Sequence, residues 1–323
     1  SMLVRITGVS STVAFNLMVA LLFGLVATSA FGLLNNILTR KRELDGEKPL
    51  SSLWGLLASI FILFLINVQG FLEMLHAKGI GWTQTPDGTW TSRFWTWLDM
   101  PEVENPPSLP FHCALEYGEG MPKWLVEFRC WLQQWEPKRS GGYWWWRSSR
   151  VVQDFKATGE RIEIIDEFPQ FSYILADMHP HVLSMPFVIL AITIALNIYY
   201  GVVKNTEGKL NIIEWFQQQF QPVGEEKPTF SDLYIAEWLK EPVFWLITLV
   251  CGGISFFNTW DYPVYVGLFS LCVLVFNSAK LGWSRKRIYE FLETGILTGV
   301  LGIVMYLPFF LSFDNQAGGL LPS

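Results

Sequence analysis

An all-α, polytopic transmembrane bundle of about six spans is the fold class this sequence predicts, and three observations predict it. Hydrophobic residues make up 51% of the chain and charged residues only 16%, against about 25% charged in an average soluble domain. The apolar residues come in blocks long enough to cross a hydrocarbon core, which takes about 20 of them in a helix. Lysine and arginine fall in alternate inter-block segments, as topology signals do. The net charge of -6 is modest, and no basic stretch suits nucleic acid.

The first span is expected over Thr12–Leu34 and the second over Leu53–Leu75. The third runs over Val182–Tyr200, with Pro186 a kink point near its start. The next block, Pro242–Phe276, is interrupted by Asn258-Thr259-Trp260-Asp261-Tyr262-Pro263. It reads as two short spans joined by a turn, or as a re-entrant hairpin over 242–276. The last span is expected over Phe291–Phe310. Ser1–Arg5 has no basic lead into an apolar stretch, and the chain stops just after an apolar block. One membrane domain over 1–323, a piece of a longer protein, is therefore expected.

Orientation follows from basic residues in short loops. Arg40, Lys41, Arg42 and Lys48 lie between the first two spans, Lys204 to Lys240 between the third and fourth, and Lys280 to Arg287 between the fifth and sixth. These loops share the cytoplasmic side. The segment 76–181 then forms a large non-cytoplasmic loop between the second and third spans. It is rich in tryptophan, from Trp82 to the run Trp144-Trp145-Trp146. Within it, Pro122–Trp135 reads as an interfacial helix, with Trp124, Phe128, Trp131 and Trp135 on one stripe. Cys113 and Cys130 sit in the same loop, where a disulfide is permitted.

Small residues mark close helix contacts. Gly295 and Gly299 form one such pair, and Gly24, Thr28 and Gly32 another. Asn16, Asn67, Gln69 and Asn197 lie at membrane depth, where inter-helix hydrogen bonding is the plain explanation. Cys251 and Cys272 are expected as inert core residues.

Three constellations have the makings of chemistry. Asp166-Glu167-Phe168-Pro169 is followed by Asp177-Met178-His179-Pro180-His181, which leads into the third span. Pro180 biases His179 toward extended backbone, which sets Asp177, His179 and His181 on one side. A carboxylate with imidazoles suits a divalent metal, or a general base beside a phosphate group. Helix capping and interfacial hydrogen bonding are the competing explanations. In Trp144-Trp145-Trp146-Arg147-Ser148-Ser149-Arg150, the two arginines share a helix face and suit phosphate oxygens. Trp145 and Trp146 suit a sugar face or lipid. Ordinary anchoring and ion pairing compete. Asp261 either starts a helix after a turn or projects into an outer cavity.

Several stretches resemble the YYY-domain family of polytopic membrane proteins. They are Ser10–Asn16, Trp145–Val151, Glu167-Phe168-Pro169, Asp177–Val182 and Asn258–Pro263, in order along nearly the whole chain. That family resembles the GT-C glycosyltransferases, which use polyprenyl-phosphate sugars at the outer membrane face. The resemblance implies that the tyrosine-rich stretch lies upstream of Ser1. It also implies sugar transfer, with Asp177 or Glu167 as base or metal ligand, and with His179 and His181 on a metal or phosphate. Arg147 and Arg150 would hold the donor phosphate, and Trp145, Trp146 and Asp261 would line the substrate. A transporter or channel subunit, with broken helices at mid-membrane, is the rival from another class, and a non-catalytic assembly subunit is a third.

Overall fold

The computed structural model describes residues 2–65, 67–100, 103–107, 122, 124–125, 128, 144–150, 152–201, 208–220 and 227–312. His112, Cys113, Cys130, Lys204 and most of the expected Pro122–Trp135 helix lie outside the described residues; Trp124 and Phe128, which are within them, are exposed.

Among the described residues the helices, in chain order, are α1 (Met2–Thr7), α2 (Ser11–Leu44), α3 (Leu56–Ile60), α4 (Gln69–Ala77), α5 (Arg93–Leu98), α6 (Trp144–Ser148) and α7 (Pro169–Leu175). They continue with α8 (Pro180–Tyr199), α9 (Ile212–Gln219), α10 (Tyr234–Lys240), α11 (Pro242–Phe257), α12 (Asp261–Leu281), α13 (Arg285–Met305) and α14 (Leu307–Ser312). Two short antiparallel hairpins, β1 (Thr83–Gln84) with β2 (Trp90–Thr91) and β3 (Gln153–Phe155) with β4 (Arg161–Glu163), add the only described sheet. Four helices are long and apolar enough to cross a membrane, or up to six spans if two bent helix pairs each count as one. The chain forms two compact units, Ser1–Ser59 with Met178–Ser323, and Ile60–Asp177.

The first unit is an apolar bundle. Helices α8, α11, α12 and α13 pack on one another, and α2 packs on α8. Ile198, Tyr234, Trp238, Phe244, Ile247, Cys251, Ile254 and Phe269 are fully enclosed at its centre. Outward-facing Leu17, Leu21, Ile296, Val300 and Val304 are exposed. Apolar surface on this scale is solvated by lipid and not by water. Cys251 and Cys272 are free thiols within spans, as expected.

Local chemistry sets the breaks. Pro242 opens α11, and the preceding Glu241 is extended at φ -89° and ψ 120°. A residue before proline is pushed out of helical geometry, so α10 and α11 meet at 85°. Of the interruption at Asn258–Pro263, Asn258-Thr259-Trp260 is a short turn between α11 and α12, and Asp261-Tyr262-Pro263 opens α12. Helix α8 runs through Pro186 to its end at Tyr199. The last span starts earlier than expected, at Arg285, and ends at Met305.

Two expectations change. The second span is not continuous: π-turn geometry over Phe61–Leu65 ends before α4. Asn67 Oδ1 accepts from the Gln69 N–H at 2.9 Å, a side-chain cap that favours a helix restart. The polar residues at membrane depth also differ from expectation. Gln69 donates to Glu73 within its own helix at 3.0 Å, whereas Asn16 and Asn197 lie on exposed faces.

The glycine signals separate in the same way. Gly295 lies against Ser270 of α12, so that a Cβ there would sit 3.0 Å from its hydroxyl. The tightest approach lies one step along that stripe: a Cβ on Gly252 would come within 2.6 Å of the Gly302 carbonyl and 2.7 Å of the Tyr306 ring. Gly24 and Gly32 of α2 have nothing within 4 Å. Gly252→Ala is therefore expected to destabilise the bundle by about 1–3 kcal/mol through overpacking, and Gly32→Ala is not. Thermal unfolding of both variants in detergent checks this, and equal midpoints would refute the contact.

Candidate functional site

The sequence-derived site residues fall into both units, and the boundary passes between Asp177 and Met178. In the first unit, His179 at φ -58° and ψ 154° is the extended N-cap of α8, and Pro180 takes the first helical position. Proline suits that position because its missing N–H has no helical partner there. The rings of His179 and His181 stack at 5.9 Å with 18° between planes, so the two imidazoles do share a side. One turn on, the Ser184 hydroxyl donates to Asp261 Oδ2 at 3.0 Å. Asn258 Nδ2 donates to the same oxygen at 3.0 Å. Asp261 is the first residue of α12, where a carboxylate is favoured by the helix dipole. The structure thus gives Asp261 the turn-and-helix-start role. It also joins the His-Pro-His segment to the Asn258–Pro263 turn, 77 residues later in sequence.

In the second unit, Gly70 of α4 admits the Trp144 ring, whose nearest atoms would lie 2.9 Å from a Cβ. One turn along each helix, Arg147 meets Glu73. Arg147 Nε donates to Glu73 Oε1 at 3.2 Å, and its Nη2 bonds Oε2. The side chains are 11% and 1% exposed. This is a buried, two-pronged ion pair of the kind whose rupture is costly. Arg147, read from sequence as a phosphate ligand, is thus engaged by a carboxylate of its own unit. Arg150 lies over the Trp146 ring at 3.7 Å and donates to Ser149 Oγ at 2.6 Å.

The acidic segment packs beside these residues. The Asp166 N–H donates to the Ser149 carbonyl at 2.7 Å. Trp144 lies 6.4 Å from Phe168, and Trp145 5.7 Å from Phe171. Glu167 is half-buried and precedes Phe168, the extended N-cap of α7. Two buried acceptor atoms here, Asp166 Oδ2 and Gln170 Oε1, have no hydrogen-bond partner among the described residues. Such atoms are rare and often mark places where a ligand or water completes the structure. Burial pushes the Tyr173 phenol up to about 12. Asp177 itself is exposed, and its N–H donates to the Ser172 carbonyl at 2.8 Å.

Among the described residues, no three His, Cys, Asp or Glu side chains gather to hold a metal ion.

Sequence reasoning missed a second polar cluster, at the other end of α12. Arg287 Nη1 contacts both Glu290 oxygens, at 2.7 and 2.5 Å. Asn277 Nδ2 donates to Glu290 Oε2 at 2.9 Å, and the Thr294 hydroxyl lies 3.4 Å from Tyr234 Oη. Glu290 and Thr294 are fully buried. Arg287 was counted as loop charge, yet it lies inside α13 and is 7% exposed. The available signal was Glu290, three residues after Arg287 and four before Thr294.

These features define a polytopic helical membrane protein with polar clusters at the ends of its apolar helices. The chain belongs to the family described as "Uncharacterized membrane protein (DUF2298)", whose sequence model matches residues 1–322. No curated protein and no solved structure matches it significantly.

Proposed function

We propose that this chain is part of a membrane glycosyltransferase of the GT-C kind, which moves a sugar from a polyprenyl-phosphate donor to an acceptor. The reading rests on the resemblance to the YYY-domain family given above. The observation that carries it is the Ser184–Asp261 hydrogen bond at 3.0 Å. It ties the helix that begins at Pro180 and His181 to the Asn258–Pro263 motif at one end of an apolar bundle. Polar groups at such an end need water or a ligand.

In this mechanism the acceptor hydroxyl attacks the anomeric carbon. Asp177 or Glu167 takes its proton. The carbon–oxygen bond to phosphate breaks, and the polyprenyl phosphate leaves with the electron pair. The resemblance implies Arg147 and Arg150 for that phosphate, and His179 and His181 for a metal or phosphate. Arg147 is held by its pair with Glu73. Trp145, Trp146 and Asp261 belong to the substrate surroundings. No step runs through a metal. The direct test supplies the full-length protein, in liposomes, with radiolabelled polyprenyl-phosphate hexoses. Label is expected to leave the lipid fraction for a glycan acceptor. Label retained on every donor would sink the reading.

In this proposal the site and the segment 76–181 face the non-cytoplasmic side. A cysteine at position 118 is then expected to react with an impermeant reagent in intact cells, and one at position 46 is not, on a background without native cysteines. The reverse pattern would overturn the orientation.

A transporter reading draws on the buried Arg287–Glu290 pair and the 85° bend before α11. Against it, α12 alone is long enough to span, which leaves no need for a re-entrant hairpin over 242–276.

A further inference from the structure

We propose that a tryptophan-lined groove in the Ile60–Asp177 unit binds a saccharide. Its role as the acceptor site rests on the transferase reading, and the binding itself does not. The groove is open to solvent and has a volume of about 530 Å³, within the range of about 300–1,000 Å³ usual for small-molecule sites. Trp82, Trp90, Trp97, Thr91, Arg93 and Glu104 line it.

The groove is built on a rigid floor. Trp95 is buried, donates its indole N–H to the Ile80 carbonyl at 2.8 Å, and meets the His76 ring edge-on at 5.1 Å. His76 also meets Trp82 edge-on at 5.7 Å and lies 2.7 Å from the Asn105 carbonyl through Nε2. The Ser92 hydroxyl caps α5 by accepting from the Trp95 N–H at 3.2 Å. That cap fixes where Arg93 and Trp97 begin. On the other wall, the β1–β2 turn is tied by Thr85 and Thr89 to Asp87, with Gly88 at φ 84°. Those hydroxyl bonds hold the Asp87 carboxyl below its ordinary range. The turn fixes Trp90 and Thr91.

The chemistry of the lining selects the ligand class. Trp97 is 76% exposed and offers a bare ring face. Trp82 is only 8% exposed, and its buried indole N–H has no acceptor among the described residues. Arg93 and Glu104 make no hydrogen bond or ion pair among the described residues. A pyranose has an apolar C–H face and a rim of hydroxyls. Aromatic rings suit the face, and planar charged groups suit paired hydroxyls. An acyl chain would leave Arg93 and Glu104 without partners, and Glu104 repels a phosphate.

The test uses the full-length protein in nanodiscs and three probes: mannohexaose, laminarihexaose and chitohexaose. Saturation-transfer NMR and tryptophan emission report binding. At least one probe is expected to bind saturably, and Trp97→Ala to weaken it roughly tenfold or more, as for an aromatic anchor. Trp97 is exposed, so its removal spares the fold, and Trp260→Ala in the other unit is expected to leave affinity unchanged. Three results would each overturn the groove: no saturable binding of any probe at millimolar concentration, equal affinity in Trp97→Ala, or quenching of Trp97 by brominated disc lipids. Saccharide binding without sugar transfer sinks the transferase reading and leaves the groove standing. Undiminished transfer in Trp97→Ala removes only the acceptor role.

Discussion

Asp177→Asn in the full-length protein is expected to lower sugar transfer by about 10²–10⁴-fold, the usual contribution of a general base, with expression and membrane insertion unchanged. The substitution keeps the side chain's shape and removes its charge and its ability to take a proton. The backbone around it is held by other means. Ala176 closes α7 in the left-handed conformation at φ 54°, and the Asp177 N–H donates to the Ser172 carbonyl at 2.8 Å. Neither feature uses the carboxylate. A left-handed alanine costs about 1–2 kcal/mol, and strain of this kind concentrates at functional positions. The measurement is initial rate with a radiolabelled donor, beside Glu167→Gln. Wild-type transfer by Asp177→Asn would remove it from the chemistry. Loss in Glu167→Gln alone would assign the base to Glu167.

Glu290→Ala is expected to destabilise the bundle by about 3–5 kcal/mol, the cost of stranding one member of a buried ion pair. The Arg287 guanidinium would lose both carboxylate contacts while enclosed, and Asn277 would lose the nearer of its two acceptors. The pairing sits where α10, α12 and α13 come together through Tyr234, Asn277 and Thr294. Its loss therefore loosens three helices at once. Replacing both charges, as Arg287→Met with Glu290→Leu, is expected to recover much of the stability, because apolar substitutes remove both desolvation costs. Thermal unfolding in one detergent compares the set. An unfolding midpoint for Glu290→Ala equal to that of wild type would show that the pair contributes nothing.

The contrast between Asp261 and Glu290 shows what sequence made legible. Asp261 stood near a proline and an asparagine in a gap between apolar runs, and local rules offered its turn and helix start as one of two readings. Glu290 lies near the start of a span, and its meaning depends on Asn277 and Tyr234, which come from other helices. The partner of Arg147 was hidden for the same reason. The spacing of Arg147 to Arg150 is local, but its partner Glu73 lies 74 residues earlier. Hydropathy found the spans because lipid acts on each helix separately. The break after Leu65 and the Gly252–Gly302 contact came from side-chain capping and helix pairing, which no single-segment pattern encodes.

The division of the chain also sets an order of assembly in time. Helix α2 is complete before the Ile60–Asp177 unit is made, and its partner α8 follows it. The intervening unit is about 120 residues, so at about 5–20 residues per second its synthesis takes about 6–24 s. Through that interval α2 waits in the bilayer without α8. Its length of 34 residues and its unbroken apolar run make it able to do so. Leu17, Leu21 and Leu25 on its exposed face meet lipid from the start, and they remain in contact with lipid afterwards.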